Sequence, residues 1–168
     1  MTYYSYLYAI KGLIMSRFVI YIKLPKYLSQ FIRHHLGCPV VFPQSSNENA
    51  IIRTFIQRLP TGMKPEMDDG AMTPVVIPDS VAKPPETYNY MGTRGKAAVA
   101  QAIKDLFLRA LWTDISPLKE SSVGLNALIA AWCEAHGIEI DQVETVRQCF
   151  YRIRKEYRKH GINIKKVR

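Results

Sequence analysis

Arg147, Gln148, Tyr151, Arg152, Arg154, Lys155, Arg158 and Lys159 lie close together near the end of a 168-residue chain. Such a set can do one kind of chemistry well. Cationic side chains hold phosphate oxygens, while Gln148, Arg147 and Tyr151, nearest the start of the segment, are of types that meet base edges. Val143, Val146, Phe150, Ile153 and Tyr157 recur between them at steps of three and four. That spacing predicts a helix with a narrow buried stripe and a basic remainder. Over 144–168, nine cations, including Lys165 and Lys166, face two acids, a net of +7 out of a chain total of +9. Positive charge focused on one element selects a polyanion, and double-stranded DNA is the expected partner. Two other readings of the same charge stay open: a face that meets an acidic protein, and a merely solvated helix.

A second set lies at Tyr88-Asn89-Tyr90-Met91-Gly92-Thr93-Arg94-Gly95-Lys96. Two glycines and two cations at a helix start, with tyrosines beside them, could hold a phosphate through Arg94, Lys96 and backbone N–H groups. The alternative is a capped connection whose tyrosines pack on the helices. Cys133, His136, Cys149 and His160 have the donor types of a zinc site. On one helix, however, Cys149 and His160 are separated by roughly 16 Å at about 1.5 Å per residue, too far to share an ion. No metal and no cofactor are expected. His34-His35, adjacent on a helix, lack the strand setting of a paired-histidine nuclease. The sequence contains no P-loop, no Gly-x-Ser-x-Gly and no carboxylate cluster suited to magnesium, so no catalytic residue is assigned.

The basic helix needs a scaffold. The segment 125–137 places Leu125, Leu128, Ile129, Trp132 and Cys133 inward and stops at Gly137; Asp141, three residues before Glu144, then reads as an N-cap opening a helix from 142 to about 160. A short helix, a Gly-containing turn and a basic second helix are the parts of a helix-turn-helix. Here the turn is longer than usual, and Ile138 and Ile140 within it read as packing residues. A third helix over 96–112 carries Val99, Ile103, Leu106, Phe107, Ala110 and Leu111 on its apolar stripe.

Upstream, the period-two run 17–24 predicts a strand, and Leu28, Phe31, Ile32, His35 and Leu36 predict a helix that stops at Gly37. Residues 39–43 form a β-branched run fenced by prolines. Ser45 to Glu48 then reads as a capping box for a helix reaching Leu59, and 73–78 as another strand. The expected class is α+β: a small β-α-β-α-β layer over 15–83, a linker at 84–92, and a three-helix, helix-turn-helix-like unit over 93–168; the Pro-rich stretch 60–87, with six of the ten prolines and five acids, reads as loop and linker carrying one strand. Residues 1–14 read either as an upstream extension before a start at Met15 or as an extra edge element. They fit neither a signal peptide nor a membrane span. Three scattered cysteines suit a reducing cytoplasm rather than a disulfide framework.

The stretches SNENAIIRTFIQRLP, IPDSVAKPPETYNYMGTRGKAAVA and GLNALIAAWCEAHGIEIDQVETVRQCFYRIRKEYRKHGI resemble small uncharacterised proteins of prophage-like and conjugative elements of gut bacteria. The resemblance runs from about Met15 to the C-terminus and brings no catalytic residues with it. It implies a setting in mobile DNA, where small basic helix-turn-helix proteins regulate transcription or recombination. The expectation is a non-catalytic cytoplasmic DNA-binding regulator whose N-terminal layer forms a homodimer or recruits a partner. The competing expectation is a protein–protein interaction module for an acidic partner.

Overall fold

The structure, a computed structural model, describes residues 18–67, 70–117 and 123–159. Among these the chain is mixed α+β, with strands β1 (Val19–Ile22) and β2 (Thr73–Val76) and helices α1 (Lys26–Leu36), α2 (Asn47–Phe55), α3 (Thr93–Ile115), α4 (Leu125–Ala135) and α5 (Val143–Lys159). The described residues divide into two compact units, one of 18–23 and 38–99, the other of 24–37 and 100–159.

In the first unit β1 and β2 pair antiparallel, Val19 opposite Val76 and Ile22 opposite Thr73. Ile20 and Ile22 are buried, as the alternation requires. The run 39–43 supplies a single parallel bridge, Val40 to Val75. Pro39 and Pro43 have no N–H to give a ladder. The Phe42 and Pro43 carbonyls are instead taken by Asn49 Nδ2, at 3.0 and 2.8 Å.

Helix α2 is capped by Ser46, whose Oγ accepts from the Asn49 N–H at 3.1 Å, one residue later than the Ser45 cap expected. It also ends four residues before Leu59. Ile56 turns extended, and Gln57 exchanges backbone hydrogen bonds with Tyr90 at 2.8 and 3.1 Å. The freed carbonyls of Arg53 and Ile56 accept from Lys83 Nζ at 2.7 and 3.1 Å, so a lysine from the Pro-rich stretch caps the helix.

Gly95, in the first turn of α3, is buried. A Cβ there would lie 2.6 Å from Met91 Cγ and 2.8 Å from Phe55 Cβ. An alanine would gain about 1 kcal/mol of helix propensity at an open site. Here the clash, with one neighbour fixed directly to backbone, outweighs that gain. Gly95→Ala is expected to destabilise by about 1–3 kcal/mol, read as a lower denaturation midpoint; a stabilised variant would contradict the packing described.

In the second unit Tyr27, Leu28, Phe31 and Ile32 of α1 are buried, and α1 groups with the C-terminal helices rather than with the strand that precedes it. The reason is aromatic. The Phe107 ring of α3 meets Tyr27 at 5.1 Å, Phe31 at 5.3 Å and Trp132 of α4 at 5.7 Å, all edge-on. The boundary of this unit therefore differs from the 84–92 linker expected. Gly137, at φ 68°, ends the α4 turn, and Ile138 is buried while Ile140 is 90% exposed, so only the first of the two isoleucines packs. Asp141 does not cap α5. Its carboxylate accepts from Lys26 Nζ at 2.8 Å, Glu139 takes the same ammonium at 2.7 Å, and a 3-10 turn over Ile140–Gln142 leads into the helix.

Candidate nucleic-acid interface

Helix α5 is anchored by the stripe its spacing predicts. Val146 and Phe150 are buried, and Val143, Ile153 and Tyr157 are half-buried. Cys149 joins them, behaving as a small apolar residue. Its Sγ donates to Tyr27 Oη at 3.9 Å, and burial, with the neighbouring thiol second, pushes the Tyr27 phenol up to about 12.

The opposite side of α5 exposes Gln148, Tyr151, Arg152, Lys155, Arg158 and Lys159. Their spacing of three, four and seven makes a continuous ribbon along the helix. Arg147 and Arg154 are half-buried, and Arg154 Nε is buried without a hydrogen-bond partner. The ribbon is not uniform in its pairing. Glu144 binds the Arg147 guanidinium at 2.6 Å and accepts from Gln148 Nε2 at 3.4 Å, so two of the three candidate base readers share one acid. Lys159 is paired with Glu156 at 2.9 Å. Among the described residues no ion pair engages Arg152, Lys155 or Arg158. The end of α5 suited to phosphate is thus available, and the end suited to bases is internally occupied. Lys165 and Lys166 lie outside the described residues.

The 88–96 segment belongs to the other unit, and much of its chemistry is already engaged. Lys96 forms an ion pair with Glu66, an acid of the Pro-rich stretch that sequence reasoning left unassigned. Arg58 lies 5.2 Å from the centre of the Tyr88 ring. Gly95 serves close packing, and Arg94 is exposed. Of the anion-holding groups expected here, Arg94 is the one that no described ion pair engages.

The cysteine and histidine set resolves into separate roles. Cys133 is buried in α4, and desolvation pushes its thiol up to about 11, so it stays protonated. His136 Nδ1 donates to the Trp132 carbonyl at 2.8 Å, and its ring stacks on Trp132 at 4.0 Å. Asp114 accepts from Trp132 Nε1 at 2.8 Å and lies 3.6 Å from His136 Nε2. His160 is outside the described residues. Among the described residues no group of three or more His, Cys, Asp or Glu side chains could hold a metal ion.

Not anticipated from the sequence is the company His35 keeps. Its ring lies 4.7 Å from Phe31, 5.0 Å from His136 and 5.3 Å from His34. Burial first, then His136 and His34, hold its pKa below the usual histidine value, with Asp114 acting in the opposite sense. A depressed pKa in the folded state means that the unfolded chain binds more protons as pH falls. The stabilisation is therefore fully present above about pH 6.5 and is lost as pH falls below it toward the folded value. The melting temperature should fall between about pH 8 and pH 5, and His35→Gln should flatten that descent. An identical descent in the variant would remove His35 from the account.

No family model, no curated protein and no solved structure matches the chain.

Proposed function

We propose that the protein binds double-stranded DNA through α5 and serves as a non-catalytic regulator of transcription or recombination in mobile DNA. In this reading α4, the turn through Gly137 and α5 act as an extended helix-turn-helix, and the first unit, residues 18–23 and 38–99, forms a homodimer or recruits a partner. The setting is the cytoplasm. Support for that setting comes from the cysteines, of which Cys38 is exposed and free while Cys133 and Cys149 are buried thiols. Among the described residues no helix is long and apolar enough to cross a membrane.

The observation that carries the reading is the ribbon on α5: an exposed basic face opposite a buried stripe, with Arg152, Lys155 and Arg158 in no described ion pair. Unpaired cations at helical spacing gain by releasing counterions from a phosphate backbone. Occupation of Arg147 and Gln148 by Glu144 favours phosphate gripping over base reading in the unbound protein. Two substitutions of opposite sign test this. Arg152→Ala should weaken binding to a random-sequence duplex about five- to tenfold at about 100 mM salt. Glu144→Gln, which removes an anion and frees Arg147, should tighten it about three- to tenfold under the same conditions. Fluorescence anisotropy reads both, with thermal melting as the control for folding. Unchanged affinity in both variants would overturn the proposal, and a specific protein captured after nuclease treatment would support the acidic-partner reading.

A further inference from the structure

An open groove of about 710 Å³ runs between the later turns of α3 and the face of α5 that carries Cys149, Ile153 and Tyr157. Its floor is apolar and aromatic. Leu108, Trp112, Ile153 and Tyr157 are each half-buried, and the Trp112 and Tyr157 rings lie 4.6 Å apart. Phe150 backs Trp112 from the core at 5.6 Å, so the indole is held in place.

The rim is charged, and its cations outnumber its acids. Of its two acids, Asp105 accepts from Gln101 at 2.8 Å and Glu156 accepts from Lys159 at 2.9 Å. Its three cations, Lys104, Arg109 and Arg152, are in no ion pair among the described residues. A floor of rings and aliphatic carbons favours a flat hydrocarbon, and three cations against one carboxylate without an ionic partner, Asp105, leave a positive surplus that favours a negative charge. The volume falls within the roughly 300–1,000 Å³ usual for small-molecule sites.

We propose that the α3–α5 groove is a binding site for a small aromatic organic anion, with the ring taken by Leu108, Trp112, Ile153 and Tyr157 and the anionic group by Arg109, Arg152 and Lys104. The site stands independently of the DNA reading. Arg152 is common to the groove and to the basic ribbon, so where both hold, ligand and duplex compete for one guanidinium.

The test uses the full chain and 8-anilinonaphthalene-1-sulfonate, an aromatic anion that fluoresces when held in an apolar site. Its neutral relative N-phenyl-1-naphthylamine, which has the same rings without the sulfonate, serves as the comparison. The anion should saturate a single site and bind at least about tenfold more tightly than the neutral compound. The Lys104→Ala/Arg109→Ala double variant should bind it about tenfold more weakly. Trp112→Phe should lower the energy transfer from protein to probe, the remainder coming from Trp132. Tyr157→Leu, which keeps the floor apolar, guards against a loss caused by unfolding; it should weaken the anion while leaving the melting transition in place. Non-saturable binding, equal affinity for both compounds, or transfer unchanged in Trp112→Phe would overturn the proposal. So would probe binding that weakens as a dimer forms at higher protein concentration, since the groove would then be covered by a second copy of the chain.

Discussion

Truncating Phe107 to alanine is expected to cost about 3–5 kcal/mol, a large share of the roughly 5–15 kcal/mol that holds an ordinary domain folded. Phe107 is fully buried, and its ring is met edge-on by Tyr27, Phe31 and Trp132, which come from α1 and α4. Removing it leaves a void that three rings on two different helices cannot close together, and it also forfeits the edge-to-face geometry. With urea sensitivities of about 1–3 kcal/mol per molar, the midpoint should fall by about 2 M. Trp132, beside the void, reports the transition by fluorescence. Phe107→Leu, which keeps most of the volume, should cost much less. Equal costs for both variants would mean that ring volume at this point is not what ties α1 to the helical unit.

Converting Arg152, Lys155, Arg158 and Lys159 together to alanine is expected to lower affinity for random-sequence duplex DNA by about 10²–10³ at about 100 mM salt. All four side chains are exposed on α5, away from the buried Val146, Cys149 and Phe150. The single described ion pair that is lost, Lys159 with Glu156, is solvent-exposed and contributes little to stability. Alanine is also the best helix former, so α5 should persist. The prediction is a separation: binding falls steeply while the melting temperature stays within a few degrees. A variant that unfolds would assign these residues to structure instead, and one that binds normally would free the ribbon of any role with DNA.

What could be read from the sequence follows the range of the forces involved. The stripe of α5, the alternation of β1 and the stops at Gly37 and Gly137 are local, set by periodicity and by backbone freedom at single residues. The helix at 26–36 was equally legible as an element. Its place was not, because the Phe31–Phe107 and Tyr27–Phe107 contacts join residues far apart in the chain, and nothing local distinguishes one buried phenylalanine from another. Residues 39–43 have strand composition yet give one bridge, because Asn49 claims the Phe42 and Pro43 carbonyls and Pro39 and Pro43 have no N–H to donate. Lys83 likewise ends α2 early from a stretch that reads as linker.

The same division holds for the candidate site. That Arg152, Lys155 and Arg158 share an exposed face follows from helical spacing. The Glu144–Arg147 pair was within reach of the same reasoning, since residues three apart are neighbours on a helix. The pairing of Lys96 with Glu66, and the meeting of Trp112 with Tyr157, depend on tertiary packing and carry no local signal.

The central claim is that α5 engages a phosphate backbone, and the most direct test is the salt dependence of duplex binding by the full chain. A random-sequence duplex titrated by anisotropy between about 50 and 200 mM salt should give a log–log slope of about −3 to −4, as four phosphate contacts at about 0.9 each require. The Arg152/Lys155/Arg158/Lys159 alanine variant should bring that slope close to zero. Absence of binding at the lowest salt, or a slope near zero in the unaltered protein, would contradict the account.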